Sequence, residues 1–184
     1  MAWVSSFVLV LLSVLSFVYL QSVEDSTEET RDIVERKPDY FIENMRRISR
    51  TESGEIKNIV LSDLVVHYPD DDSTELTKPY MEIYSESKEP WKVRSISAWI
   101  AKENQEILLE GDVNLWRKDK KGDVIYTLNT EKLKIKPEEK YAETSSPATI
   151  TTPESVTNTV GFKFFFENGR IELSNRVRTR YEKK

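Results

Sequence analysis

The sequence predicts an all-β domain that follows one apolar N-terminal helix, and three observations support this. From Tyr40 onward apolar and polar residues alternate with period two, as in the run from Trp91 to Ser95. Short extended runs are separated by turn signals at fairly even spacing. A stretch that begins at Leu64 recurs further along the chain. Many short strands of this kind are typical of a sandwich, jelly roll or barrel.

The recurring stretch has the same layout in both copies. In each copy an extended run meets a proline, a charged turn follows, and a second proline precedes the next run. The prolines are Pro69 and Pro79 in the first copy and Pro137 and Pro147 in the second, so the copies are offset by 68 residues. This offset is longer than the usual solenoid periods. We therefore expect two tandem, repeat-like β halves arranged as two facing antiparallel sheets.

Turn signals divide the chain after the N-terminal segment into ten expected strands, and no helix is expected among them. The expected strands are 40–50, 55–68, 79–85, 91–101, 105–117, 123–136, 147–152, 156–166, 169–174 and 176–182. One face of several strands is apolar and rich in aromatic residues, which predicts an interior between the sheets. The sequence leaves open whether this interior is a packed core or an apolar groove that takes a ligand.

The N-terminal segment has the length and composition of a membrane span. No charged side chain occurs in residues 1–23, and the run from Trp3 to Leu20 is mainly apolar. About 18 such residues are just enough to cross a bilayer. No basic region precedes the run and no A-x-A cleavage site follows it, which favours a retained anchor over a cleaved signal peptide. We therefore predict a transmembrane anchor at 1–23, a polar tether at 24–39 and an external β domain at 40–184.

Composition excludes several classes of function. A net charge of −5 argues against nucleic acid as a partner, because such binding needs a basic surface. The chain has no cysteine and a single histidine, His67, so thiolate metal sites and histidine-based triads are excluded. The run from Asp70 to Asp72 lacks the spaced ligands of a calcium loop and is interpreted as a solvated turn. We expect a non-enzymatic protein without cofactor or metal.

The last expected strand carries its arginines on one face. Arg176, Arg178 and Arg180 alternate with smaller or apolar residues, and period two places all three on the same side. One interpretation is a solubilising sheet edge. The other is an edge that pairs with a strand of a partner protein, with the arginines fixing the register.

Several short motifs, in order and in spacing, resemble the LptC family over nearly the whole chain. They are the N-terminal anchor, His67-Tyr68-Pro69 followed by Asp70-Asp71-Asp72, Thr77-Lys78-Pro79, Pro90-Trp91-Lys92-Val93 with Ala98, Leu109-Glu110-Gly111-Asp112-Val113, and Val177-Arg178-Thr179-Arg180-Tyr181-Glu182. The resemblance implies a periplasmic β-jelly roll anchored in the inner membrane. It also implies a non-enzymatic carrier that receives lipopolysaccharide from the ATP-driven transporter LptB2FG and passes it to the soluble bridge protein LptA.

On this interpretation the interior is a lipid path and the last strand is the outgoing edge. From the alternation, we assign the lipid-binding groove to Met45, Leu76, Trp91, Phe164, Ile171 and Tyr181. We assign the partner-docking edge to Val177, Arg178, Thr179, Arg180, Tyr181 and Glu182. The alternative is a membrane-anchored structural adaptor that packs its apolar residues into a dry core and only recruits partners.

Overall fold

The computed structural model describes residues 36–84, 89–102 and 105–182, and within them the chain is an antiparallel β-protein. Its strands are β1 (Tyr40–Arg50), β2 (Ile56–Tyr68), β3 (Ser73–Thr77), β4 (Tyr80–Ile83), β5 (Trp91–Arg94), β6 (Ser97–Ile100), β7 (Ile107–Lys118), β8 (Val124–Lys136), β9 (Tyr141–Thr152), β10 (Ser155–Phe165) and β11 (Ile171–Tyr181). The all-β prediction is confirmed. In the described ranges no helix has the length and apolar character of a membrane span. The predicted span from Trp3 to Leu20 lies outside them.

The strands form one hydrogen-bonded sheet that doubles back on itself. Their order is β11-β10-β9-β8-β7-β5-β4-β2-β3-β6, with β1 paired to β2 and β6 also paired to β7. One edge of β2 pairs with β3 through residues 64–68 and with β4 through residues 58–61. One edge of β7 pairs in the same way with β6 and with β5. The long strands therefore pass from one layer into the other, so the two expected sheets share strands.

The two layers meet at aromatic side chains from distant strands. Trp91 of β5 and Phe164 of β10 pack edge to face, with their ring centroids 4.7 Å apart. In the sheet order β7, β8 and β9 lie between these two strands. In a flat sheet, strands four steps apart are separated by about 19 Å. The contact therefore shows that the sheet is folded, with its apolar face inside.

The fold line, which we call the crease, is a series of irregular positions in the middle of the long strands. Its residues of positive φ are Asn44, Gly111, Asp112, Gly161 and Arg176. Register shifts accompany it between β7 and β8, β8 and β9, β9 and β10, and β10 and β11. Bulges of this type bend a strand and interrupt its ladder of hydrogen bonds.

At the crease, where the ladder of backbone hydrogen bonds is interrupted, buried hydroxyl groups donate hydrogen bonds to backbone carbonyl oxygens. Ser62 Oγ lies 2.7 Å from the carbonyl oxygen of Leu64 and 2.8 Å from that of Thr77. Thr130 Oγ1 donates to the carbonyl oxygen of Pro147 at 3.0 Å. Both hydroxyl residues are buried, where an unpaired carbonyl is costly. The hydroxyls therefore stabilise the bend.

The crease also displays the internal repeat in three dimensions. Ser62 and Thr130 are offset by 68 residues, as are Pro79 and Pro147. In the first half the strand that returns after the turn is broken at Pro79 into β3 and β4. In the second half β9 passes through Pro147 as one strand. The halves therefore share one plan and differ in how the chain passes the fold line.

Several expected strand boundaries are wrong, mainly because of the crease. The structure splits the expected strand 91–101 into β5 and β6, and it joins 169–174 and 176–182 into the single strand β11. The expected strand 147–152 is only the second half of β9. Strand β3 lies in the gap between the expected strands 55–68 and 79–85, where no strand is expected from the sequence. In the sequence a bulge resembles the end of a strand, although the backbone continues through it.

Candidate functional site

The interior is lined by rows of side chains that run across the strands. The cross-strand pairing places Tyr40, His67, Thr74, Ile100, Ile107, Ile135, Ala142, Phe164 and Ile171 in one continuous row of the first layer. It places Arg47, Val60, Met81, Val93, Leu115, Leu128, Ile150, Thr157 and Thr179 in a row of the second layer. Both rows extend from β1 to β11, so the interior reaches both edges of the sheet.

The interior is closed in the middle and open at its two ends. In the middle, Val93 and Ala142 are completely buried. At the β11 end, Leu173 and Val177 are 36% and 46% exposed. At the β1 end, Ile42 is 44% exposed although it pairs with the buried Val65. The folded sheet therefore has a dry centre and an apolar inner surface that reaches solvent at both edges.

The structure places the predicted groove residues at different depths. Leu76, Trp91 and Phe164 are no more than 2% exposed and belong to the core. Met45 and Ile171 are partly buried and pack against that core. In contrast, Tyr181 is 80% exposed at the end of β11. Sequence alternation identified the face of the sheet and not the depth of each residue.

Sequence reasoning missed residues that line the open ends. Leu173 is opposite the buried Phe162 and therefore shares its inner face. Ile42 has the same relation to Val65 at the other edge. Both lie in expected strands, 40–50 and 169–174, but the register that places them beside core residues is not available from the sequence. These residues are candidates for the first contacts with an apolar ligand.

Strand β11 has the features of a docking edge. Among the described residues it pairs with β10 and with no other strand. Thr179 lies on the inner face opposite Thr157, and their hydroxyl oxygens are 2.9 Å apart. Arg178 lies on the outer face opposite Asn158. The predicted alternation of β11 therefore agrees with its register, and its free edge has backbone groups with which another strand could pair.

The arginines of β11 differ in their surroundings. Arg180 forms an ion pair with Glu182, with 3.6 Å between Nη2 and Oε1. Within the described residues Arg176 and Arg178 form no ion pair. Arg178 therefore has a positive charge available for a partner, whereas the charge of Arg180 is already compensated.

The single histidine holds the start of β1 in place. Nδ1 of His67 lies 2.7 Å from Asp39 Oδ1, and Nε2 lies 3.2 Å from Asp72 Oδ1. The imidazole stacks on the ring of Tyr40, with 4.7 Å between centroids. The hydrogen bond to Asp39 raises the pKa of His67, and it lowers the pKa of Asp39. The protonated imidazole donates to both carboxylates, so it ties β1, β2 and the β2–β3 turn together.

We expect this interaction to make stability depend on pH. Because the pKa of His67 is raised on folding, its contribution is complete below the unfolded pKa of about 6.5 and is lost as pH rises through the folded value. The thermal midpoint should therefore fall between about pH 6 and pH 8 in the wild type and fall less in His67→Gln. Thermal unfolding followed by circular dichroism would measure how steeply the midpoint falls with pH in each protein. An equal fall in the wild type and in His67→Gln would contradict the role of His67.

A second polar cluster, around Glu82, is satisfied internally. Glu82 accepts hydrogen bonds from the hydroxyls of Tyr80 and Tyr84, each at 2.7 Å, and pairs with Lys92 at 3.1 Å. In the part of the chain that the structure describes, no group of three acidic or histidine side chains could hold a metal ion. The features with functional potential are therefore the interior and the two edges.

Comparison with known proteins gives a family and a fold. The family model for LptC, described as lipopolysaccharide-assembly, LptC-related, matches residues 7–182. Among solved structures, the chain is similar to LptH, the LptA-homologous periplasmic component of the lipopolysaccharide transport device of Pseudomonas aeruginosa. That match has a TM-score of 0.52 and 10% identity, and it covers 69% of this chain and 94% of the other. No curated protein matches the chain. The structural likeness concerns the fold.

Proposed function

Because the chain belongs to the LptC-related lipopolysaccharide-assembly family, we propose that it carries lipopolysaccharide from the inner-membrane transporter LptB2FG to a periplasmic bridge protein of the LptA type. Membership in this family makes it a non-enzymatic component of lipopolysaccharide transport. In this proposal residues 1–23 anchor the chain in the inner membrane, residues 24–39 are the tether, and the β domain stands in the periplasm.

The observation that carries the proposal is the apolar inner surface that opens at both sheet edges. Each buried CH₂ of an acyl chain contributes about 0.8 kcal/mol, so even part of a lipid's acyl region is worth several kcal/mol. The chain has a net charge of −5, which opposes binding of an anionic lipid through overall electrostatics. The acyl chains are therefore the main source of affinity. Acyl chains can reach this inner surface at either open end, because Ile42 at the β1 end and Leu173 and Val177 at the β11 end are already accessible.

In this proposal the two sheet edges meet different partners, so the transfer has a direction. A strand of a bridge protein with a similar fold can add to β11 by backbone hydrogen bonds and extend both the sheet and its inner surface. The likeness to an LptA homologue supports a partner built on the same plan. Strand β1, which among the described strands pairs with β2 alone, is then the edge that faces the transporter. Lipid moves from the β1 end to the β11 end.

The packed centre favours a second candidate, the structural adaptor. Trp91 and Phe164 are buried against each other across the two layers, and Phe166 packs edge to face on Phe164. In the adaptor this contact is permanent and the edges only recruit partners. In the carrier the layers must separate at this contact when acyl chains pass.

Photocrosslinking distinguishes the two candidates. A photoreactive residue at Leu173, on the inner face, should form an adduct with lipopolysaccharide when the full chain works with its transporter and ATP. The same residue at Glu172, which is exposed on the outer face of the same strand, is the matched control and should give little adduct. The adaptor predicts no adduct at Leu173 or at Ile42, the inner position of the opposite edge.

A further inference from the structure

Two buried nitrogen donors lie together on the inner face of the second layer. Trp91 Nε1 and Arg117 Nε have no hydrogen-bond partner although both atoms are buried. Trp91 and Arg117 are direct cross-strand partners on β5 and β7, and the guanidinium carbon of Arg117 lies 5.1 Å from the centroid of the Trp91 ring. Buried donors without a partner are rare in native proteins. Two of them side by side indicate a place for an acceptor.

The position of Arg117 is at the boundary between core and solvent. Trp91 is 1% exposed, Arg117 is partly exposed, and the next residue of the row, Tyr126, is 36% exposed. Arg117 forms no ion pair or side-chain hydrogen bond among the described residues. An unpaired cation at the rim of an apolar interior is placed where the charged group of an amphiphile would lie while its chains contact the core.

We propose that Arg117, together with the indole nitrogen of Trp91, binds a phosphate group of the amphiphile whose acyl chains occupy the interior. This inference rests on the proposed lipid-carrier function and adds the position of the headgroup. A phosphate oxygen accepts hydrogen bonds from several donors at once, and a guanidinium is suited to it because of its planar set of N–H groups. The ring of Trp91 holds the guanidinium in place by a cation–π contact.

The site also accounts for how an acidic protein binds an anionic lipid. The chain has a net charge of −5, so long-range attraction does not bring a phosphate to this surface. A single, partly buried arginine next to the core acts locally, where the effective dielectric constant is lower than in water. Specificity for a phosphorylated headgroup is then separate from the affinity that the acyl chains supply.

The experiment compares two amphiphiles with the same chain length and different headgroups, dodecyl phosphate and dodecyl maltoside, on the purified full chain. In titration calorimetry, Arg117→Gln should lower the affinity for dodecyl phosphate by about tenfold, because charge-assisted hydrogen bonds are lost. Its affinity for dodecyl maltoside should stay nearly unchanged. Arg117→Lys should keep part of the preference for dodecyl phosphate over dodecyl maltoside, because it keeps the positive charge. Dodecyl phosphate should also shift the indole N–H resonance of Trp91 in the wild type.

The matched control is Arg94→Gln. Arg94 also lies near a tryptophan ring, with its guanidinium carbon 5.8 Å from the centroid of Trp116, but it is exposed and pairs with Asn114 on the outer face. This variant should bind both amphiphiles as the wild type does. If Arg94→Gln lost as much affinity for dodecyl phosphate as Arg117→Gln, the proposed site would be overturned, because the loss would then be a general effect of surface charge.

The remaining outcomes separate this site from the carrier function. If the wild type binds both amphiphiles equally and Arg117→Gln changes neither, the phosphate site is overturned while the lipid carrier is supported. If neither amphiphile binds the wild type, the carrier function fails and the site fails with it. Inorganic phosphate alone is the third probe. If it binds as tightly as dodecyl phosphate and shifts the Trp91 resonance equally, the site is one for free phosphate and the headgroup assignment is overturned.

Discussion

A chain shortened by residues 177–184 is expected to lose the transfer of lipopolysaccharide to the bridge protein while it still receives lipid from the transporter. The deletion removes the half of β11 that pairs with residues 155–158 and leaves the half that begins at Ile171. The removed residues contribute little to the core, because Val177 is 46% and Tyr181 80% exposed. We therefore expect the fold to survive and partner binding to be lost. Pull-down and stepwise lipid transfer would measure both.

Single arginine substitutions test which part of that edge gives affinity. In the proposed docking, backbone pairing supplies most of the affinity, and the arginines mainly fix register and association rate. Arg178→Ala should weaken docking modestly, and the loss should shrink at high salt because exposed charges are screened. Arg180→Ala is the comparison at the same edge and should weaken docking less, since Arg180 is already paired with Glu182. A shortened chain that still binds the bridge protein and passes lipid on would place the outgoing edge elsewhere.

The face of each strand could be predicted from the sequence, but its depth in the fold could not. Alternation correctly separated Arg178 from Thr179 and placed Trp91 and Phe164 on the apolar side. It could not show that Trp91 and Phe164 touch, because their contact depends on how far the sheet folds over three intervening strands. Nor could it show that Leu76 is buried and Tyr181 exposed, since both are flanked by polar residues in the sequence.

The crease was the feature that sequence reasoning could describe only in part. The repeat offset was visible in Pro69 and Pro137, and the structure adds the equivalent hydroxyls of Ser62 and Thr130. The bulges were interpreted as strand ends, because a bulge has no residue pattern of its own when non-glycine residues such as Arg176 adopt positive φ. The unpaired donor on Arg117 depends on the register of β5 against β7, which the sequence does not specify.

Leu76→Arg is expected to lose its fold and Leu173→Arg only its lipid loading, although both change an inner-face leucine to arginine. Leu76 is 2% exposed, and an unpaired charge at this position has a transfer cost that is comparable with the whole stability of a domain, about 5–15 kcal/mol. We expect Leu76→Arg to be unfolded at room temperature. Leu173 is 36% exposed at the open end, where the arginine can extend its charged group to water. Leu173→Arg should therefore stay folded and lose most of its lipid loading.

The matched control is Ile96→Arg, the same kind of change at an apolar residue that is 58% exposed beside the outer side of the crease, next to Asn114 and Asn129. It should stay folded and load lipid normally. Far-ultraviolet circular dichroism would measure folding, and lipid retained after extraction from membranes would measure loading. If Leu173→Arg loads lipid as well as Ile96→Arg does, the acyl chains do not occupy the β11 end. If neither the wild type nor the variants retain lipid, the buried contact between Trp91 and Phe164 favours the adaptor, in which this contact is permanent.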